Sequence, residues 1–123
     1  MTSMQVLKQA LNRPIQWLRP TPADLARWVK QCLDGGSFPI LSAHAGKDRL
    51  KQRGFTHEDV IQIIRSGYPY RVDRGNAPDE WKVNLSLTMP NGRDAAVVCL
   101  VSPHHQSVII LTVMWVDKSY LKA

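Results

Sequence analysis

The sequence predicts an α+β fold: N-terminal helices, then an antiparallel sheet of about four strands. Two observations carry this. Apolar residues recur every three or four positions as far as Ile64, and every second position from Tyr68 onward. Capping residues punctuate the first part, and turn residues punctuate the second.

The elements follow in order. Residues 1–38 read as a helical extension. Met4, Leu7, Ala10 and Leu11 lie at helical spacing, and Pro14 ends that stretch. Pro20 and Pro22 make a break. Thr21, Pro22 and Asp24 then start a helix: a capping hydroxyl, a proline where no N–H is needed, and an acid in the first turn. Leu25, Trp28, Val29, Cys32 and Leu33 share its apolar face, and Gly35–Gly36 stop it. Residues 39–123 form the α+β domain, in one compact unit with the extension.

A second start at Ser42 predicts a basic helix through Arg53, ended by Gly54. At 100° per residue, Ala43, Gly46 and Leu50 share its thin apolar face. His44, Lys47, Asp48 and Lys51 lie opposite, and Arg49 and Arg53 form a third stripe. Thr56 and Asp59 have capping-box spacing. Val60, Ile61, Ile63 and Ile64 follow and Gly67 closes the helix, although β-branched residues are mediocre helix formers and need tertiary support.

Tyr68–Asp73 reads as a short strand, and Gly75, Asn76 and Pro78 as a turn. Trp81, Val83, Leu85, Leu87 and Met89 alternate with polar residues, as in a half-buried strand. Pro90-Asn91-Gly92 connects it to a returning strand, Ala95–Val101. Ser102–Gln106 is the next turn. Val108–Val116 is nearly all apolar, which predicts a central strand covered on both faces.

Composition narrows the function. The 123 residues suit one domain, and 44% hydrophobic with 21% charged is a globular balance. A net charge of +6 fits a polyanion partner: nucleic acid, an acidic protein or a membrane surface. No apolar run is long enough to span a bilayer, and no secretory leader is visible, so no membrane association and a cytoplasmic location are expected. Two cysteines are too few for a disulfide framework or a zinc site, and read as buried thiols. The sequence has no phosphate-binding Gly-rich loop, His-Glu-x-x-His, Cys-x-x-Cys or Gly-x-Ser-x-Gly motif. No metal and no cofactor are expected.

What remains is a set of basic and histidine residues. His44, Lys47, Arg49, Lys51 and Arg53 fall on one helix. Arg71 and Arg74 flank the first strand, Lys82 lies on the polar face of the second, Arg93 is in the hairpin, and His104 and His105 are in the last turn. Metal-free RNA cleavage needs such groups. A base takes the 2′-hydroxyl proton, a cation stabilises the phosphorane, and an acid protonates the leaving oxygen. Histidine suits either proton transfer, and arginine grips phosphate with two parallel bonds. Each feature also has a bland reading. A basic helix is usually a solvated face, paired histidines beside Pro103 an exposed turn, and the tryptophans core. Thr112 either satisfies its hydroxyl within the sheet or points into a site.

The stretch "SAHAGKDRLKQRGFTHEDVIQIIRSG", with a last strand "SVIILTVMWV", resembles domain-of-unknown-function family 4258 over roughly residues 40–116. The matching positions are His44-Ala45, Arg49-Leu50-Lys51-Gln52-Arg53-Gly54, the Val60–Ile64 helix and Ile109-Ile110-Leu111-Thr112-Val113. That family looks related to the RelE, barnase and EndoU group of metal-independent ribonucleases, found in toxin–antitoxin modules and as polymorphic toxin domains. The resemblance implies an RNase-toxin-like fold whose active surface is the sheet and adjoining helix. It transfers His44, Arg49, Arg53 and Thr112 as site residues. One departure stands out. The family histidine precedes the first arginine by four residues and His44 precedes Arg49 by five, about 140° away on an ideal helix. Either His44 sits just before the first helical turn or its role is not shared.

The expected function is a metal-independent ribonuclease toxin domain, with a cognate antitoxin or immunity protein as partner. Its expected location is the cytoplasm, or the target-cell cytoplasm if a larger toxin delivers it. The expected catalytic set is His44, Arg49, Arg53, His104 and Thr112. Lys47, Lys51, Arg74 and Lys82 are expected to bind RNA. The alternative is a non-catalytic basic module for RNA or an acidic protein. For residues 1–38, three roles stay open: a docking arm, a cap on the sheet, or an element that makes a homodimer.

Overall fold

The computed structural model describes residues 17–36, 39–42 and 47–116, and at 47–49 and 105–106 the backbone only. The element order is α1 (Pro22–Asp34), β1 (Ile40–Leu41), α2 (Lys47–Arg53), α3 (His57–Ser66), β2 (Tyr68–Arg74), β3 (Trp81–Thr88), β4 (Asp94–Ser102) and β5 (His105–Val116). The fold is α+β, and its sheet is mixed and five-stranded, ordered β1-β5-β4-β3-β2.

Local chemistry sets the helix ends. The Thr21 and Thr56 hydroxyls accept from the backbone N–H of Asp24 and Asp59, whose carboxylates accept from the threonine N–H in return. Each box satisfies two donors that the helix cannot. Gly54 ends α2 at φ +81°, a conformation a Cβ would penalise, and the Phe55 N–H returns to the Leu50 carbonyl.

The long sheet strands, β2 to β5, form the expected antiparallel meander, joined in succession. The fifth strand was not expected. Ile40 and Leu41 pair in parallel with Ile109 and Ile110. Two residues are too few to show any period, so only the edge offered by β5 identifies them as a strand.

One sheet face is core. Val83 and Leu85 on β3, Val97 and Cys99 on β4, and Val108 and Ile110 on β5 are completely buried, together with Leu25 and Val29 of α1 and Ile63 and Ile64 of α3. Each aliphatic side chain removed from water contributes about 1.5–3 kcal/mol, which is the support that the β-branched α3 requires. Both helices pack on this face, while α2 lies against β5.

Two expectations are corrected here. The last strand is covered fully on one face, not both: Val108, Ile110 and Val113 are buried, and Ile109, Thr112 and Met114 are half-buried. Its apolar run hid a change of register, because Val98 faces Thr112 and Cys99 faces Ile110, leaving Leu111 as a bulge. The preceding turn is shorter than expected, since β5 begins at His105. The Ser42 hydroxyl donates to the Leu111 carbonyl at 3.1 Å. The first helical stretch, on Met4 to Leu11, lies outside the described residues, as does the predicted helix start at 43–46.

Candidate nucleic-acid interface

The sheet has two ends that differ in character. The hairpin end holds the β3–β4 turn, the last residues of β5 and the end of α2. The loop end holds residues 75–80 and the β4–β5 turn.

At the hairpin end, β5 runs past its short partner β1 and would expose bare edge carbonyls. The bulge turns successive carbonyls toward that edge. The Ser42 N–H reaches Ile110 at 3.0 Å, and the Ser42 hydroxyl reaches Leu111. Further along, Arg53 Nη1 donates to the Val113 carbonyl at 2.6 Å. Trp115 Nε1 donates back to the Arg53 carbonyl, also at 2.6 Å. Arg53 is therefore clamped at both its ends, and Gly54 turns the chain away behind it. A guanidinium carries five N–H groups, so most remain for a ligand after one carbonyl is served.

Trp115 is itself bracketed. Phe55, buried in the core, stacks on the indole with ring centres 4.4 Å apart and planes 23° apart. The Arg93 guanidinium lies over the same indole at 4.5 Å. A ring face holding a phenyl has no room for a guanidinium, so the two take opposite faces. Among the described residues, neither Arg53 nor Arg93 has a carboxylate partner. Asp94 is the nearest acid in sequence, and it is buried with the Thr88 hydroxyl donating to it.

At the loop end, cations meet acids. His104 Nε2 lies 2.9 Å from the Asp79 carboxylate, with both side chains about two-thirds exposed. Arg71 pairs with Asp73 at 2.7 Å. Arg74 lies over Trp81 at 4.9 Å. Lys82 stands opposite Asp73 in register. A cavity of about 180 Å³ opens here beside Glu80, Leu100, Ser102, Ser107 and Ile109.

The expected site residues are thus divided. Arg53 and Thr112 are close along β5 but not on one face: Thr112 precedes Val113, whose carbonyl Arg53 holds, and its side chain, half-buried opposite Val98, lies on the sheet face away from Val113 and Trp115. Lys51 is exposed on the last turn of α2. His104 does not join them. It precedes β5, and Arg53 contacts that strand nine residues later, roughly 25–30 Å away at the rise of a strand. Proton transfer needs hydrogen-bond reach, so these two cannot serve one reacting phosphate. Arg74 and Lys82 belong with His104. His44 and the side chains of Lys47, Arg49 and His105 lie outside the described residues.

Sequence reading passed over Arg93 and Trp115 as site residues. Arg93 was one of several cations, and Trp115 read as core packing. The available signal was a register: an arginine just before the strand residue, Ala95, that pairs with the tryptophan. It needed the strand pairing to be seen.

A second cavity, of about 360 Å³, lies between β1 and α3 and is lined by Pro39, Leu41, His57, Val60 and Ile61. Among the described residues no three His, Cys, Asp or Glu side chains gather to hold a metal ion. No described helix is long and apolar enough to cross a membrane.

The pattern that defines one protein family, Domain of unknown function (DUF4258), matches residues 41–115, more than half of the chain. The chain belongs to the DUF4258 family. The match takes in the Arg53–Gly54 turn, the stacked Phe55 and Trp115, and the whole of β2 to β4. The turn of this DUF4258 domain has a structural reason to be an Arg-Gly pair: one residue closes the sheet edge and the next reverses the chain. No curated protein matches the chain, and no solved structure matches it.

Proposed function

We propose that this DUF4258 domain is a metal-independent endoribonuclease of the toxin type, working at the hairpin end, with a cognate antitoxin or immunity protein as its partner. One observation carries the reading: two guanidinium groups, Arg53 and Arg93, are built onto one corner and have no carboxylate partner among the described residues. Unpaired, preorganised guanidinium groups suit a phosphate whose charge grows in the transition state. RNA supplies its own nucleophile. The 2′-oxygen attacks phosphorus as a base removes its proton, and the 5′-oxygen leaves with a proton from an acid, giving a cyclic phosphate. Arg53 would stabilise the phosphorane. His44 would be the titrating group if its role is shared despite the five-residue spacing to Arg49, and His104 would have no part.

A second reading, a non-catalytic RNA-binding module, draws on the net charge of +6 and the same two guanidinium groups. One experiment separates the two. The protein is incubated with total RNA and tRNA in EDTA, beside His44→Ala, Arg53→Lys and His104→Ala. The expected result is discrete cleavage leaving cyclic phosphate ends, lost in the first two variants and kept in the third. Salt-sensitive gel shifts without cleavage would establish the binding module. Loss of cleavage in His104→Ala would move the site to the loop end.

A further inference from the structure

Phe55, Trp115 and Arg93 form three tiers. The innermost is a buried phenyl, the middle a half-buried indole, and the outermost an exposed guanidinium. The outer tier is held by its backbone. The Met89 N–H donates to the Arg93 carbonyl at 2.8 Å, and the Arg93 N–H donates to the Asn91 side chain at 3.0 Å. Gly92, at φ +83°, makes the reversal that allows both bonds. The guanidinium carbon lies 4.5 Å over the indole centre, the side chain is exposed, and no carboxylate among the described residues competes for its N–H groups.

We infer that this stack is a seat for one unpaired nucleobase, and that single-stranded RNA is therefore the substrate class. The inference rests on the reading of the hairpin end as an RNA site. A guanidinium plane backed by an aromatic ring accepts a further π-face, with the base, the cation and the indole in succession. Bases within a duplex already have both faces covered by their neighbours, so only a base out of a helix can lie on Arg93. The edge N–H groups of Arg93 would meet the phosphate of the seated nucleotide, and the remaining donors of Arg53 an adjacent one. The loop end offers no equivalent seat. Its guanidinium–indole pair, Arg74 on Trp81, is wider at 4.9 Å, and no second ring among the described residues stacks behind Trp81.

The test measures binding without cleavage. A short, dye-labelled 2′-O-methyl RNA, which lacks the nucleophilic hydroxyl, is titrated as a single strand and as a duplex at one fixed salt concentration, with anisotropy as readout. Wild type should prefer the single strand. Arg93→Lys keeps the charge and loses the plane, so single-strand affinity should fall about 10-fold and duplex affinity should hold. Arg74→Lys should change neither. Arg93 is exposed, so its variant should keep the wild-type melting temperature, which is checked alongside. Equal single-strand binding by Arg93→Lys and wild type would overturn the inference, as would tighter binding of the duplex. If wild type still binds or cuts RNA in that case, the ribonuclease reading survives alone. If no RNA is bound or cut, both fall.

Discussion

At one end of the sheet Arg93 lies over Trp115, and at the other Arg74 lies over Trp81. The motif is the same and the surroundings are opposite. Trp115 is backed by a buried phenyl and tied to the Arg53 carbonyl, and among the described residues the cations around it have no acid to pair with. At the loop end of the sheet, Asp73 pairs with Arg71 and Asp79 accepts a hydrogen bond from His104. Charge count alone would rank the two ends alike. Compensation separates most of their cations: a cation already paired offers an incoming phosphate little, one stacked on a ring keeps its donors, and Arg74, also stacked, lacks the second ring that Phe55 supplies behind Trp115. The hairpin end is also expected to be the stiffer, because Arg53 is clamped to the Val113 carbonyl and Arg93 lies on a ring backed by Phe55.

Substitutions at the two ends should reproduce that contrast in stability. The largest effect belongs to Gly67→Ala, where α3 meets β2. A Cβ there would stand 2.2 Å from the Ile63 carbonyl oxygen, and backbone must move. A loss of about 3 kcal/mol is expected in urea unfolding. Arg53→Ala removes a charged donor from the part-buried Val113 carbonyl, and a loss of about 2 kcal/mol is expected by the same method. Gly75→Ala, at the loop end, meets Glu80 Cβ at 2.5 Å and the end of the Leu100 side chain at 3.0 Å. Part of that obstruction is flexible, so a smaller cost of about 1 kcal/mol is expected. If Gly75→Ala proves the costlier glycine variant, the stiffness assigned to the hairpin end is wrong.

Between the ends, Cys99 gives the middle of the sheet a pH signature. Burial pushes its thiol from the ordinary 9.0 up to about 12. Between those values the unfolded chain has lost the proton and the folded one keeps it, so stability falls as pH rises. It is fully present below about pH 9. The slope from this group is about 1.4 kcal/mol per pH unit, and Cys99→Ala should flatten that part of an alkaline stability profile. Burial raises the Cys32 thiol as well. The smallest effect belongs to His104→Ala. Its ion pair with Asp79 is exposed, so unfolding should shift by less than about 0.5 kcal/mol. RNA cleavage, measured in EDTA, should not change.

Much of the fold was readable along the chain because its signals are local. Thr21 with Asp24, and Thr56 with Asp59, announced two helices through contacts three residues apart. The alternation from Trp81 to Met89 announced a half-buried strand, and Trp81, Val83 and Leu85 are indeed its buried side. The strand Ile40–Leu41 was not readable, because its pairing lies about 70 residues away on β5. The bulge at Leu111 was hidden inside an unbroken apolar run. Of the site, the Arg53 position was legible from its helix stripe and family pattern. The grouping was not: His104 and Arg53 looked equally available until the length of β5 was set between them.

Residue order alone specified the α+β class, the helix caps, the meander and the excess of positive charge, since periodicity, capping and charge depend on neighbours within a few positions. Which cations share a surface, and which of them carry a compensating acid, emerged from strand register. That register is a long-range property, set by how β3, β4 and β5 bury one face against α1 and α3.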